Sequence, residues 1–307
     1  DTFGPRVLDY WVTPPTSYIP FLLNAKTAVL FFCVLLGFFA AKPRRFSARG
    51  FARYTVKRYV QFSLFLLVSG VVYVLGAYCV TWLFHTPDEY AYRVISDGFR
   101  YNLIYILRDA FLFEANYNVT MWSMQQFFIA SIICYLLGCI IYRVKPVTAL
   151  LITAATVAAF LLPRSEYLSW IAFCVMGVFV RLYAENAEHF RFLDKRGVRI
   201  ALTLLAWFLF KFPMPECTFV FFLMAAASIL LLVVCFRSPS AQKVLGQAPL
   251  PALGKLAFGV YVVHTPINSL LQSSLQPIAA GMLPAFIVTP LCFVFTICTA
   301  TGCAWLL

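Results

Sequence analysis

Nine long apolar runs divide this chain, at about residues 25 to 41, 59 to 84, 121 to 142, 147 to 163, 167 to 183, 198 to 212, 218 to 236, 253 to 275 and 282 to 307. Several exceed the ~18 consecutive apolar residues that cross a bilayer as a helix. Backbone polar groups have no water to bond in lipid, so such runs must close their hydrogen bonds as helices. The expected fold is therefore all-α: a polytopic transmembrane helix bundle with about nine spans. The composition agrees, with 62% hydrophobic and only 12% charged residues, against about 25% charged in a soluble domain. No repeat, low-complexity tract or soluble domain interrupts the runs. Any chemistry must sit in or beside the bundle.

A net charge of +12 in a soluble chain would raise the question of nucleic acid. Here it sets topology, and no nucleic-acid partner is expected. Alternate connections and adjoining helix ends carry 17 of the 24 basic residues: Lys42, Arg44, Arg45, Arg49, Arg53, Lys57 and Arg58; Arg143 and Lys145; Arg181, Arg191, Lys195, Arg196 and Arg199; Arg237, Lys243 and Lys255. The opposite side carries the other seven, accompanied by Asp88, Glu89, Asp97, Asp109 and Glu114. The excess of Lys and Arg on cytoplasmic connections places the basic side inside and residues 1–24 and 85–120 on the outer or luminal side.

The ten cysteines lie almost all inside apolar runs and form no CxxC pair. They read as small buried hydrophobes, with no disulfide framework and no metal site. Within 85–120, "DGFRYNLIYILRDAFLFEAN" places apolar residues at helical spacing with charges between them, as in an amphipathic helix on the membrane surface or capping the bundle. Asn118 to Thr120 form a glycosylation sequon close to a span.

Three features can carry chemistry. The basic segment "KPRRFSARGFARYTVKRY" places Arg53, Lys57 and Arg58 at near-helical spacing. Such cations fix orientation and attract anionic lipid, or they present a row of donors to a phosphorylated ligand. In "NVTMWSMQQFF", Trp122 suits an interfacial belt, while Ser123, Gln125 and Gln126 are polar groups at a helix mouth. Adjacent helical residues point about 100° apart, so at least one amide faces the interior, as glue between helices or as part of a site. In "LGKLAFGVYVVHTPI", His264 lies about 16 Å along a helix from Leu253, counted at about 1.5 Å per residue. An imidazole at mid-membrane depth is either a group bonded to a free carbonyl near Pro266 or a functional residue. On these features alone an enzyme and a transporter with a proton-relaying His264 look the same.

Together these stretches resemble the acyltransferase 3 family of integral membrane enzymes. "NAKTAVLFFCVLLGFFAA" is similar to that family's second helix, and the basic segment "RGFARYTVKRY" follows it as the family's does. "NVTMWSMQQFF" is similar to its N-x-x-x-W-S/T-L/M stretch, and "LGKLAFGVYVVHTPI" to its late signature. Leu36, Ala257 and Phe127 stand where the pattern usually has serine, serine and an acidic residue.

The resemblance implies a single acyltransferase-like domain over residues 1–307, incomplete at the N-terminus and with the C-terminus left open, in a family of about ten helices. It implies an acyltransferase for groups other than amino-acyl groups. Acyl-CoA, commonly acetyl-CoA, is the implied co-substrate, with no bound cofactor or metal. The implied acceptor is a hydroxyl compound such as a carbohydrate. By the same resemblance the principal histidine base belongs to a preceding helix, and His264 is a supporting residue. Arg53, Lys57 and Arg58 are then the donor contacts, and Trp122, Ser123 and Gln126 the acceptor side. An inactive relative with a binding role is the remaining alternative.

Overall fold

The computed structural model describes residues 25–84, 89–114, 116, 119–163, 165–185, 195–211 and 218–252, together with 254, 256, 257, 259–261, 263 and 298. The last two apolar runs lie almost wholly outside these residues, as do His264 and Asn118. Among the described residues the chain is helical, with no strand. The helices are α1 (Ala25–Ala40), α2 (Ala48–Phe84), α3 (Glu89–Leu112), α4 (Ser123–Ile140), α5 (Pro146–Leu161), α6 (Glu166–Glu185), α7 (Arg196–Lys211), α8 (Thr218–Arg237) and α9 (Pro239–Leu245).

Local chemistry sets several of their ends. Ser47 caps α2, its Oγ accepting from the Gly50 N–H at 3.1 Å. Pro146 opens α5 after an extended Lys145, where a missing N–H costs nothing. Ser238 breaks α8 from α9 and accepts from the Ala241 N–H at 3.2 Å.

Two helical stretches among the described residues, Ala48–Cys79 and Ser123–Arg143, are each long and apolar enough to cross a bilayer; α8 and α9 make a third if they form one broken span. Val29–Ala40, Pro146–Leu161 and Tyr167–Leu182 are apolar but shorter. A 16-residue helix rises about 24 Å, less than the ~30 Å of hydrocarbon. The expected nine runs thus appear as helices wherever they are described, but not all as helices of full membrane length.

Outward faces are apolar. Val56, Val60, Leu64, Val71, Leu75, Tyr78 and Trp82 form one exposed stripe along α2, and Leu204, Leu205, Trp207 and Phe208 are exposed on α7. Faces this apolar are suited to lipid and costly in water, which makes the chain an integral membrane protein.

The helices fall into two units, residues 1–46 with 129–242 and residues 47–128 with 243–307. In the first, α6 is the central helix: Ser169 to Val178 are all buried. Glycines bring α1 onto it backbone to backbone. A Cβ on Gly37 would fall on the Cys174 carbonyl, and one on Gly177 would fall on the Val34 carbonyl and lie 2.7 Å from the Phe38 nitrogen. The Cys33 and Cys174 thiols are neighbours, and the Arg181 guanidinium stands 5.4 Å over the Phe38 ring. These contacts advance together along both helices, so α1 and α6 are parallel.

Helix α8 runs the same way, with Phe221 beside Trp170 at 5.7 Å and Phe236 beside Phe38 at 5.0 Å. So does the unit's part of α4: the Cys134 thiol donates to the Cys174 carbonyl at 3.9 Å, and Tyr142 Oη donates to the Ala41 carbonyl at 3.4 Å. Helices α5 and α7 return; Val198 and Leu202 of α7 pack on Val233 near the end of α8. This alternation collects Lys42, Arg44, Arg45, Arg143, Lys145, Arg181, Lys195, Arg196 and Arg199 at one end of the unit. Cys33, Cys134, Cys139 and Cys174 are buried as small hydrophobes, whereas Cys79 and Cys298 are exposed and Cys235 is half-buried.

In the second unit α3 packs lengthwise against α2, not apart from it as a cap. Tyr73, Val74 and Ala77 of α2 enclose Val94 and Ile106 of α3. Gly70 admits the Ile106 side chain, 3.1 Å from where a Cβ would stand. Gly98 kinks α3 at φ 73 and ψ 165, a conformation that glycine alone adopts readily. Asn102 braces the kink by donating to the Val94 carbonyl at 2.7 Å.

Because backbone blocks a side chain at Gly37 and Gly177, Gly37→Ala and Gly177→Ala are each expected to cost about 1–3 kcal/mol or more. Gly197, with nothing near its missing Cβ, is the control: Gly197→Ala should leave the thermal midpoint unchanged or raised. Thermal unfolding of the purified variants in detergent checks this.

Candidate active site

The N-terminal end of α4 brings together polar groups of two motifs in the second unit. A 3₁₀ turn, Val119–Trp122, leads into the helix. Ser123, fully buried, shares a hydrogen bond of 3.0 Å with Tyr261 Oη. This bond joins "NVTMWSMQQFF" to "LGKLAFGVYVVHTPI", motifs far apart in sequence. Gln126 is buried and Gln125 exposed, so one amide faces the interior as the helical spacing requires. The partners of Gln126 are local: hydrogen bonding orients its amide nitrogen to donate to the Trp122 and Ser123 carbonyls, at 2.5 and 3.3 Å. These bonds close the first turn of its own helix, where the sequence left open a bond between helices or a place in a site. Trp122 is partly exposed beside it.

The approach to this turn is held by residues that the sequence counted only as charges. Asp109 is 3% exposed and accepts from the Asn116 backbone N–H at 2.9 Å and from its Nδ2 at 2.6 Å. Glu114 accepts from Asn116 Nδ2 at 3.2 Å and pairs with Arg108 at 2.9 Å. Between them Phe113 takes a left-handed φ of 57, uncommon for a residue with a side chain. Its ring packs 5.5 Å from both Tyr59 and Phe128, and Tyr59 Oη donates to the Phe111 carbonyl at 2.8 Å. A set of aromatic rings thus fixes the loop that feeds α4.

Arg53, Lys57 and Arg58 lie in the first three turns of α2, which begins at Ala48 rather than at the apolar run. Arg53 and Lys57 are exposed, one turn apart on one face. Arg58 is turned away and half-buried. Its Nε donates to Tyr54 Oη at 3.3 Å and its Nη1 to Gln61 Oε1 at 3.1 Å. Two of the three expected cations are therefore presented outward, and the third is engaged within its own helix. Among the described residues the buried Thr55 and Ser63 hydroxyls of α2 have no hydrogen-bond partner, and no sequence pattern marks them. Tyr261 carried one: it is a phenol in an otherwise apolar stretch.

The family model described as an acyltransferase domain, of the acyltransferase 3 type, matches residues 4–307. The chain belongs to this family. No curated protein and no solved structure matches it significantly. Membership and the apolar helices together make it a membrane acyltransferase in general terms, so the Ser123–Tyr261 bond lies within the acyltransferase domain.

The Arg108 guanidinium and the Asn116 amide hold the Glu114 carboxyl below its ordinary value of 4.5. A depressed carboxyl contributes stability that is complete above that ordinary value and is lost as pH falls through the depressed one. Arg108→Gln should therefore lower the thermal midpoint slightly at neutral pH, and the difference from wild type should close in acid below the ordinary carboxylate range. Thermal unfolding at a series of pH values measures it.

Proposed function

We propose that this protein moves an acyl group, commonly acetyl, from a CoA thioester to a hydroxyl acceptor such as a carbohydrate. The family match over residues 4–307 carries this reading. The bond between Ser123 and Tyr261 supports it by joining two of the motifs on which the resemblance rests.

In this scheme Arg53, Lys57 and Arg58 meet the phosphates of the donor from the cytoplasmic side. A histidine base takes the proton of the acceptor hydroxyl as its oxygen attacks the thioester carbonyl. The tetrahedral oxyanion is steadied by a polar donor, the carbon–sulfur bond breaks, and the thiolate of CoA leaves and is protonated. His264 supports the base and orients substrate. Trp122, Ser123 and Gln126 line the acceptor side. The basic connections face the cytoplasm, residues 1–24 and 85–120 lie on the outer or luminal side, and each long apolar run spans the bilayer, giving about nine spans.

Membranes carrying the protein, supplied with acetyl-CoA labelled in the acetyl group, should transfer label to a hydroxyl acceptor. Loss of a hydrogen bond to a charged group is worth about 1.5–3 kcal/mol, so Arg53→Ala should raise the donor KM by about tenfold or more. His264→Ala should lower the rate by about tenfold, less than the ~10²–10⁴ attributed to a general base itself. Transfer unchanged in both variants would remove these site assignments, and no transfer to any hydroxyl compound would remove the activity.

A further inference from the structure

At the basic end of the first unit an open cleft of about 670 Å³ is lined by Pro43, Arg44, Arg45, Tyr142 and Arg143. Its volume falls within the range of small-molecule sites. The wall is built, not incidental. Gly138 lets the chain after α1 touch α4, with the Lys42 carbonyl oxygen only 2.8 Å from where its Cβ would stand. Arg44 donates from Nη2 to the Ala40 carbonyl and from Nε to the Lys42 carbonyl, both at 3.1 Å, and stacks 4.3 Å over the Tyr135 ring. Its charge is thereby fixed at the negative end of α1. Arg45 and Arg143 are exposed and have no hydrogen bond or ion pair among the described residues.

No counterion is available from the segments that form the cleft: residues 25–46 and 129–165 contain no Asp or Glu. Among the described residues, two uncommitted guanidiniums beside a fixed third make an unneutralised positive site, and their planar forks match phosphoryl oxygens. Arg143 also borders a second, mainly apolar hollow of about 330 Å³, lined in part by Leu136, Cys139 and Ile140. A charged recess next to an apolar one suits a ligand with a phosphoryl head and an extended, less polar tail.

We propose that this cleft binds the phosphoryl head of such an ester through Arg45 and Arg143, with Arg44 as the fixed third charge. Two sources share that chemistry: the diphosphate of a CoA thioester, which rests on the acyltransferase reading, and the phosphate of an anionic phospholipid, which does not. Where coenzyme A is the ligand, these residues take the place of Arg53, Lys57 and Arg58 as the contacts of its diphosphate.

The test uses the whole chain in phosphatidylcholine nanodiscs, with coenzyme A and pyrophosphate as titrated probes. A parallel preparation contains phosphatidylglycerol, whose retention through purification is quantified. The double variant Arg45→Gln/Arg143→Gln should bind coenzyme A and pyrophosphate at least about tenfold more weakly. Arg100→Gln, an exposed charge on α3, should change binding less than about twofold. Unchanged probe binding with a clear loss of retained phosphatidylglycerol would also support the site and assign it to lipid. A double variant that binds both probes and retains the lipid as wild type does, with the same thermal midpoint, would overturn the proposal, as would a wild type that takes up none of the three. Acyl transfer assayed on the same samples bears on the acyltransferase reading alone: its absence alongside cleft binding sinks that reading and spares this one.

Discussion

Much of the first unit depends on the backbone contact between α1 and α6 at Gly37 and Gly177. Lipid tails are as apolar as leucine, so the hydrophobic effect gives helices in a bilayer little reason to associate; close approach and the dispersion contacts it allows must supply it. Gly37 and Gly177 remove the two side chains that would keep the helices apart, and Cys33, Cys134 and Cys174 pack as small groups around the crossing. With α1 set parallel to α6, the C-terminal ends of α1, α4, α6 and α8 come to one level. The basic connections then gather without any attraction among them. Their mutual repulsion is a cost carried by the packing, and it is relieved in part by helix-end carbonyls and aromatic faces, as for Arg44 and Arg181.

The second unit is held differently. Here α2 and α3 meet through a mixed apolar cluster, and the polar residues of α3 serve local geometry. Asn102 braces the Gly98 kink, and Asp109 with Asn116 fixes the loop before α4. These buried polar groups are bonded, as the expense of burying them unpaired requires. Their combined effect is to deliver the start of α4 in a defined position, where Ser123 meets Tyr261. Rigid support behind a polar mouth is what an acyl-transfer site needs if a reacting hydroxyl is to be held at attack distance.

The helices were legible from hydropathy because their composition leaves few alternatives. Their limits were less so. Helix α2 extends eleven residues before its apolar run, through Ala48 to Arg58, because arginine and lysine are good helix formers although they end a hydropathy signal. The amphipathic spacing of α3 correctly indicated a helix, but its place along α2 depends on Gly70 admitting Ile106, a tertiary fit that no local pattern records. The diversion of Arg58 was implicit in Tyr54 and Gln61, four residues before and three after it. The bond from Ser123 to Tyr261 could not be read at all: two hydroxyls 138 residues apart carry no mutual signal in one sequence. The cleft at Arg45 and Arg143 escaped for the same reason, since its two sides come from separate connections.

The central claim is that one end of this helical unit, carrying its basic connections, faces the compartment of the acyl donor. Sided labelling tests it most directly. In a chain with all ten native cysteines replaced by alanine or serine, single cysteines at Lys145 and Arg199 mark the basic end, and one at Leu162, 78% exposed, marks the opposite end. The account predicts that in sealed cells a membrane-impermeant thiol reagent labels Leu162→Cys from outside, while Lys145→Cys and Arg199→Cys react only after the membrane is opened. Labelling of Lys145→Cys and Arg199→Cys from outside, or of all three from the same side, would contradict it.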